Sequence, residues 1–439
     1  MWNAAESMPR AELEKLQLEL LNNTLRRIGS VPFYKEALRE KHLLGREIGS
    51  LADLRQYPFT SKSQLRDQYP GGMIAVDSSQ ISRFHASSGT RGKPTLVAYT
   101  KQDLNDWADL GARSLYAAGV RPGDIVHNSY GYGLFTGGLG VHSAIERLGA
   151  IAVPASGGKT QQQIVLLKDL KARVLCSTPS YALHIAGALA EMETSVDELS
   201  LNIGIFGAEP WTEPMRRRIE AELNLQAIDI YGLSEIMGPG VSIECLEARD
   251  GLHIWEDFFL AEIINPLTLE PLSEGEEGEL VITTLQKEAM PLLRYRTGDL
   301  SRLIKEKCKC GRSMARMQRV RARLDDMLII RGVNVYPSEI ENILLKVDEL
   351  APHYQLVLKR ERSLDELSVQ VEITDDILAR WAEVRDESLK LNELSERIKV
   401  LLKENLGISV AVELLPARSI ERSQGKASRL LDLRRTQES

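Results

Sequence analysis

Short apolar runs alternate with segments of helical periodicity between about residues 81 and 240. The runs bounded by turn residues predict strands: DIVHNSY, AIAVPAS, ARVLCSTPS and IGIFGAE. Apolar residues spaced three and four apart predict helices in KQDLNDWADLGARSLYAAG, GLGVHSAIERLG and EPMRRRIEAEL. Strands that alternate with helices indicate βαβ units and a mostly parallel sheet, so the sequence predicts an α/β fold.

The pattern changes on both sides of this region. Residues 1 to about 80 suggest helices followed by turns, with one helix starting near Ser61. Between about 241 and 322, short strands separated by turn residues predict a small β-rich, barrel-like unit. After Asp325, a hairpin, a helix, two strands, a long charged helix at about 379–406 and a last strand predict a small α+β domain. We therefore expect an N-terminal domain over 1–324, which includes the β-rich unit, and a C-terminal domain over 325–439.

Composition narrows the class of protein. The 439 residues, of which 43% are apolar, can form several domains with a large core. A net charge of −7 argues against bulk attraction to nucleic acid. The N-terminus starts directly in a charged amphipathic helix, and no run of about 18 apolar residues occurs. We expect a soluble, cytoplasmic protein without nucleic-acid or membrane partners.

The stretch SSGTRGKP (87–94) has the glycines, hydroxyls and lysine that are typical of a loop that holds phosphates. The common NTPase loop, GxxxxGK[ST], has four residues between its glycines, whereas two separate Gly89 from Gly92. Pro94 after Lys93 removes a backbone donor and disfavours a helix there. The stretch is therefore either another kind of phosphate loop or a polar surface turn.

Two further segments follow predicted strands, where ligands of parallel sheets bind. The first is FGAEP (206–210). In the second, YGLSEIMGPG (231–240), Tyr231 could stack on a nucleobase and Glu235 could bind Mg²⁺ through oxygen. The alternative for the second segment is an ordinary loop.

Two charged residues are ambiguous when taken alone. Asp299, in YRTGD (295–299), could accept hydrogen bonds from ribose hydroxyls or could pair with Arg294 or Arg296. Lys426, in ERSQGKASRL (421–430), lies in a glycine-flanked loop, although a single lysine is ordinarily a solvated charge.

Considered together, the motifs are more specific than any one of them. Their order resembles that of the adenylate-forming acyl-CoA ligases: SSGTRGKP, FGAEPW, YGLSEIMGPG, YRTGD, RARLDDMLIIRGVNVYPSEIE and GKASR. Within that superfamily, YGYGLFTGGLG (130–140) and LIIRGVNVYPSEIE (328–341) resemble the phenylacetate–CoA ligase branch. The resemblance covers nearly the whole chain. It implies that a carboxylate attacks the α-phosphorus of ATP to give an acyl adenylate and pyrophosphate, and that the CoA thiolate then attacks the acyl carbon and releases AMP.

The resemblance also implies roles for individual residues. Those implied to contact ATP or AMP are Ser87, Ser88, Gly89, Thr90, Gly92, Lys93, Ala208, Glu209, Pro210, Tyr231, Gly232, Ser234, Asp299 and Arg323. Catalysis would fall to Lys426, which bridges the α-phosphate and the substrate carboxylate, to Glu235, which holds Mg²⁺, and to Thr90 in the phosphate loop.

The C-terminal domain of the family is mobile and rotates between the two half-reactions. By resemblance, Asp325 is the hinge, and Gly332 and Asn334 line the CoA tunnel. The chain departs from the family at Ala322, where glycine is usual. If that position required φ > 0, alanine would cost on the order of 1 kcal/mol.

The segment YGYGLFTGG (130–138) is the candidate acyl pocket. Tyr132 and Phe135 supply rings, and glycines such as Gly133 leave room for the ring of a substrate. An aryl or arylacetyl acid fits this composition better than a long acyl chain. The alternative is that these aromatic residues pack in the core.

Three cysteines and one histidine fall in the predicted β-rich unit. Cys245 and His253 have the spacing C-x7-H, and Cys308 and Cys310 follow in CKCGR. Three thiolates and one imidazole suit tetrahedral Zn²⁺, so we predict a structural zinc site. Reduced thiols without a metal are the alternative. Cys176 is expected to be a small buried apolar residue.

The sequence therefore predicts an AMP-forming aryl-CoA ligase that uses ATP, Mg²⁺ and CoA. A second class would pass the acyl group to a carrier protein or an amine, or would adenylylate a cofactor. These alternatives differ in whether CoA is consumed in proportion to AMP. A non-catalytic binding protein would not need Lys426. The family often forms dimers, so we expect a homodimer.

Overall fold

The computed structural model describes residues 1–87, 94–331, 333–361, 364–382, 387–422 and 429–434. The chain separates into two compact units, one of residues 1–178, 197–208 and 225–320 and the other of residues 179–196, 209–224 and 321–439. Among the helices of these ranges, none combines the length and the apolar composition that a membrane-spanning segment needs.

The helices of the first unit are α1 (Arg10–Ile28), α2 (Pro32–Glu40), α3 (Lys62–Asp67), α4 (Lys101–Ala117), α5 (Thr136–Leu148) and α6 (Thr160–Asp169). Its strands are β1 (Ile81–Ser87), β2 (Thr95–Thr100), β3 (Ile125–Asn128), β4 (Ile151–Val153), β5 (Val174–Ser177), β6 (Ile203–Gly207), β7 (Gln226–Leu233), β8 (Gly238–Glu244), β9 (Leu252–Ile254), β10 (Phe259–Ile264), β11 (Gly278–Thr284), β12 (Tyr295–Ser301), β13 (Leu303–Ile304) and β14 (Arg316–Met317). The four strands predicted from apolar runs are β3, β4, β5 and β6, so the α/β prediction is confirmed.

The main sheet of the first unit has the strand order β13-β14-β9-β8-β7-β6-β5-β3-β4. Strands β3 to β7 pair in parallel, and β8 joins β7 antiparallel. Every residue of β5 and β6 is buried, as expected for strands that are covered on both faces. The carboxyl ends of the parallel strands therefore share one edge of the sheet.

The β-rich character predicted for 241–322 is confirmed, but its described strands divide between two sheets and do not close into a barrel. Strands β8, β9, β13 and β14 extend the main sheet instead. Strand β11 pairs antiparallel with β10 and with β12 in an open sheet, not a closed barrel. The alternation of short apolar runs and turns predicts each strand, but it carries no information on which neighbour the strand will pair with.

Helix α3 begins where the sequence predicts it. The hydroxyl of Ser61 accepts a hydrogen bond from the amide of Gln64, and the Gln64 side chain accepts one from the amide of Ser61. This capping box satisfies two amides that would otherwise lack partners at the start of a helix. It fixes the position of Lys62, the first residue of the helix.

The second unit contains the helices α7 (Pro179–Glu191), α8 (Glu213–Leu223), α9 (Pro337–Leu344), α10 (Asp375–Ala382) and α11 (Glu387–Leu406). Its strands are β15 (Ala322–Arg323), β16 (Leu328–Ile330), β17 (Val333–Val335), β18 (Leu350–Glu361), β19 (Leu364–Ile373), β20 (Ala411–Leu415) and β21 (Leu430–Asp432). Strands β16 and β17 form the predicted hairpin, and β20-β19-β18-β21 form a mixed sheet. The α+β prediction for the C-terminal part is therefore confirmed.

The charged segment predicted as one helix at 379–406 contains two helices in the described residues, α10 and α11, and α10 starts earlier, at Asp375. Apolar residues of α11, such as Ile398 and Leu402, are buried in a core with Leu356 and Val369 of the mixed sheet. This core gives the C-terminal part of the chain its own apolar interior.

Candidate active site

The stretch SSGTRGKP joins β1 to β2, which pair antiparallel. Five of its predicted site residues lie outside the described residues: Ser88, Gly89, Thr90, Gly92 and Lys93. Ser87, at the end of β1, is described. Its hydroxyl donates a 3.4 Å hydrogen bond to the Glu235 carboxylate. The base of the predicted phosphate loop therefore lies beside the predicted Mg²⁺ ligand.

The loop after β7 presents Glu235. Gly232 is required there because a Cβ would lie 1.8 Å from the carbonyl oxygen of Gly238. The Ser234 hydroxyl lies 2.9 Å from that of Thr136, and the Ser234 carbonyl accepts a 3.2 Å hydrogen bond from the Tyr99 hydroxyl. These contacts fix the loop at the carboxyl edge of the sheet.

The sequence analysis missed a cation at this site, Lys62. Its ammonium lies 3.6 Å from Oε1 of Glu235, whose side chain is only 3% exposed. Because the carboxylate is so buried, its attraction to a nearby positive charge is stronger than it would be in water. The only local signal for Lys62 was its place after the Ser61 cap, which predicts a helix start and no chemistry.

Tyr231 and Asp299 come together from β7 and β12. The Tyr231 hydroxyl donates a 2.7 Å hydrogen bond to Oδ2 of Asp299. The arginines that were the alternative partners of Asp299 form ion pairs elsewhere: Arg294 with Glu262 at 2.9 Å, and Arg296 with Glu279 at 2.6 Å. The structure thus places the predicted adenine-stacking and ribose-binding residues side by side.

The FGAEP segment begins where β6 ends. Ala208 has φ 71°, in the left-handed region that non-glycine residues rarely adopt. In the second unit, the Glu209 carboxylate accepts a 2.7 Å hydrogen bond from the amide of Ser180 near the start of α7. An acid beside a helix N-terminus is stabilised by the helix dipole, so Glu209 has a structural contact here. The roles of Ala208, Glu209 and Pro210 in ATP binding stay predictions.

The candidate acyl pocket lies between β3 and α5. Tyr130 is 4% exposed, so core packing accounts for it. The half-buried Tyr132 accepts a 2.9 Å hydrogen bond from the Asn128 amide through its hydroxyl, which also lies 3.3 Å from Nδ1 of His142. Burial raises the pKa of Tyr132, so its hydroxyl stays protonated near neutral pH. Phe135 is 41% exposed and Gly133 has φ 132°.

The glycines of α5 allow two helices to approach closely. A Cβ on Gly140 would lie 2.2 Å from the Trp107 ring of α4, and one on Gly138 would lie 2.6 Å from the carbonyl oxygen of Gly131. These glycines therefore allow neighbouring groups to pack directly against the backbone of α5. That glycines of 130–138 leave room for a substrate ring stays a prediction.

The predicted hinge and CoA residues lie in the second unit. Arg323 is the last residue of β15, and Asp325 and Asn334 are exposed. Gly332 and Lys426 lie outside the described residues. Ala322 lies in the extended strand β15 and is not among the residues with positive φ, so alanine causes no backbone strain there.

The cysteine–histidine cluster is assembled as the spacing predicted. One ligand atom from each of Cys245, His253, Cys308 and Cys310 lies within 4.8 Å of all the others. The sulfurs of Cys245 and Cys308 are 3.7 Å apart, and the sulfur of Cys310 is 3.4 Å from Nε2 of His253. The neighbouring Cys245 thiol and the His253 imidazole lower the pKa of Cys310, which favours the thiolate that metals bind.

The donor set fits Zn²⁺. Zinc–sulfur bonds of about 2.3 Å in a tetrahedron place two sulfurs about 3.7–3.8 Å apart, close to the distance between Cys245 and Cys308. Gly311, with φ 87°, turns the chain after Cys310. Cys176 is fully buried in β5 outside this cluster, as predicted.

The chain matches two family models, described as "AMP-binding enzyme" over residues 75–286 and "AMP-binding enzyme C-terminal domain" over residues 332–434. The phenylacetate-coenzyme A ligase of Thermus thermophilus is 49% identical over 438 residues, with 98% of each chain covered. That of Escherichia coli is 48% identical, with 96% of this chain and 95% of the relative covered.

Solved structures agree with this relationship. A 2-hydroxyisobutyryl-CoA ligase in the postadenylation state, in complex with 2-HIB-AMP, is similar with a TM-score of 0.90 and 28% identity, covering 98% of this chain and 91% of that one. An anthranilate CoA ligase, AuaEII, has a TM-score of 0.55 at 16% identity, covering 79% of this chain and 65% of that one, and supports the fold alone.

Proposed function

Because the chain belongs to the phenylacetate–coenzyme A ligases, a family of AMP-forming acid–CoA ligases, we propose that phenylacetate or a closely related arylacetic acid is its acyl substrate. The protein is an AMP-forming aryl-CoA ligase. The choice of acid rests on one observation. The chain is 48–49% identical to curated phenylacetate-coenzyme A ligases over nearly the full length of both chains.

Adenylation requires that negative charge on the phosphates be neutralised as the carboxylate attacks. In the proposal, Glu235 holds Mg²⁺, which when bound would neutralise phosphate charge. Lys426 bridges the α-phosphate and the substrate carboxylate, and Lys62 adds a positive charge 3.6 Å from Glu235. Positioned charges of this kind stabilise the transition state of phosphoryl transfer more than the ground state.

The nucleotide would lie along the carboxyl edge of the sheet. Tyr231 stacks on adenine and Asp299 accepts from the ribose hydroxyls, while Ser87 to Lys93 enclose the phosphates. The support for this arrangement is the contact of Tyr231 with Asp299 and of Ser87 with Glu235. Arg323 is assigned to the ribose or the phosphates by resemblance.

The acid would lie against Tyr132 and Phe135. Neither ring is fully buried, so each has surface that a substrate ring can cover. The hydroxyl of Tyr132 is already engaged by Asn128 and His142. Its ring therefore offers an apolar face, which suits an unsubstituted phenyl ring better than a polar one.

Coenzyme A would approach along Gly332 and Asn334 once the C-terminal domain has turned about Asp325. The zinc site, in this proposal, is structural: Cys245, His253, Cys308 and Cys310 would occupy all four positions of a tetrahedron, and a closed site of this kind leaves none for a substrate.

The acid is tested by comparing kcat/KM for phenylacetate, 4-hydroxyphenylacetate, benzoate, anthranilate and indoleacetate, with AMP release followed in the presence of CoA. We expect phenylacetate to have the highest value. A higher value for benzoate or anthranilate would replace phenylacetate as the substrate without changing the reaction class.

A further inference from the structure

Lys287 is a buried lysine whose ammonium contacts main-chain carbonyls. It follows β11, is 1% exposed and has no role in the chemistry proposed above. Its ammonium donates hydrogen bonds to the carbonyl oxygens of Glu235, at 3.0 Å, and Ile236, at 2.8 Å. It also lies 4.8 Å from the centre of the Tyr99 ring. Lysine is rarely buried to this degree, because desolvating an ammonium costs several kcal/mol.

The backbone around Lys287 is itself fixed by a buried acid. Asp103, near the start of α4, accepts a 2.7 Å hydrogen bond from the amide of Glu288 and a 2.9 Å one from the amide of Ala289. The same carboxylate accepts from the amide of Thr100. Lys287 is thus anchored to the start of α4 and reaches from there to the loop that carries Glu235.

That loop is held at three consecutive carbonyls. Tyr99 donates to the carbonyl of Ser234 at 3.2 Å, and Lys287 donates to those of Glu235 and Ile236. These residues lie in the turn between β7 and β8, where carbonyls have no strand partner and need another donor. With its backbone held on this side, Glu235 directs its carboxylate toward Ser87 and Lys62.

We propose that Lys287 is a positioning residue for adenylation, which holds the main chain of Glu235 so that its carboxylate stays at the base of the phosphate loop. The inference rests on the proposed role of Glu235 as the Mg²⁺ ligand. Lys287 itself touches neither substrate nor metal. It acts by keeping the carboxylate in the place where Mg²⁺ and ATP would meet it.

The main test is Lys287→Met, which keeps the unbranched apolar stem of the side chain and removes both hydrogen-bond donations. Pyrophosphate release with phenylacetate, ATP and Mg²⁺ measures adenylation, and thioester formation from supplied phenylacetyl adenylate and CoA measures the second step. We expect the Mg²⁺ concentration for half-saturation and the KM for ATP to rise about tenfold, the value of a lost charged hydrogen bond. The second step should change less than about threefold, since it needs no metal–phosphate contact.

Two further variants keep the test decisive if Lys287→Met does not fold. Tyr99→Phe removes only the donation to Ser234 and should raise the Mg²⁺ requirement in the same direction, by about threefold. Thr24→Val is the matched control. Its buried hydroxyl donates to the carbonyl of Leu285, two residues from Lys287 and away from the Glu235 loop. It should lower stability while leaving the Mg²⁺ requirement unchanged.

Glu235→Gln separates the two proposals. If this variant leaves the Mg²⁺ requirement unchanged, the proposed role of Glu235 is wrong, and the inference about Lys287 is wrong with it. If Glu235→Gln raises the requirement but Lys287→Met and Tyr99→Phe do not, only the positioning role is overturned. Equal losses of Lys287→Met in both half-reactions, with an unchanged Mg²⁺ requirement, would reduce Lys287 to a structural residue.

Discussion

The hydroxyl of Tyr231 donates a hydrogen bond of 2.7 Å to the carboxylate of Asp299, 68 residues further along the chain. The contact joins the end of β7 to β12, which belong to two different sheets. Two motifs that are ambiguous on their own thus meet at one place. An acid next to an aromatic ring at the carboxyl edge of a parallel sheet is suited to bind a nucleoside.

Replacing Asp299 with alanine should weaken ATP binding. We expect the KM for ATP to rise tenfold or more, because a carboxylate that accepts from ribose hydroxyls is worth about 1.5–3 kcal/mol. Tyr231→Phe removes the hydroxyl and keeps the ring, so its effect should be about threefold or less if stacking is the main contribution. A KM for ATP that is unchanged in Asp299→Ala would exclude a ribose contact.

Lys426→Ala should separate the half-reactions. Adenylation should fall by at least about 10²-fold, as expected when a preorganised charge is removed from a transition state. Thioester formation from supplied phenylacetyl adenylate should be largely retained. Lys390→Ala, at an exposed lysine of α11, is the control and should behave as wild type. Equal losses in the two half-reactions would contradict the assignment.

The cysteine–histidine cluster should contain about one equivalent of zinc per chain, the number of ions that one set of four ligands can hold. Cys308→Ser should abolish that zinc and lower the melting temperature, because a structural metal contributes to the free energy of folding. Cys176→Ser changes a buried cysteine outside the cluster, so it should lower stability without loss of zinc. Metal-free wild-type protein with an unchanged melting temperature in Cys308→Ser would refute the site.

Arg113 and Asp257 form a buried ion pair in the first unit, with contacts of 2.8 and 3.0 Å. Asp257→Asn leaves the guanidinium, which is 1% exposed, without its countercharge. We expect a loss of about 3 kcal/mol in the free energy of unfolding. Glu393→Gln, which breaks an exposed pair with Lys390, should cost less than about 0.5 kcal/mol. Denaturant titrations measure the free energy of unfolding of both variants. Similar losses in the two would contradict the larger effect expected of the buried pair.

The sequence predicted the elements of the fold better than their arrangement. Strands such as β5 could be predicted because a run of apolar residues is a local signal. The pairing of β8 and β9 with the main sheet could not be predicted, since the partner of a strand depends on distant residues. The strands of the β-rich region could therefore be predicted, whereas their division between two sheets could not.

Residues of the candidate site could be predicted only where they belong to a recognisable motif. The cysteine–histidine cluster followed from residue types that point to one chemistry, whereas the contact of Tyr231 with Asp299 was not predicted. Lys62 and Lys287 gave no such signal, because a lone lysine in a sequence is ordinarily a solvated charge. Their proximity to Glu235 comes from the fold: Lys287 is 52 residues from the carbonyl it contacts.

The measurement that tests the reaction most directly is AMP release from ATP, Mg²⁺ and phenylacetate, with and without CoA, together with the mass of the acyl product. An AMP-forming aryl-CoA ligase predicts sustained AMP release only when CoA and the acid are both present, in equal amounts with phenylacetyl-CoA. AMP or pyrophosphate turnover that is indifferent to CoA, with no acyl-CoA formed, would contradict it and would assign the adenylate to another acceptor.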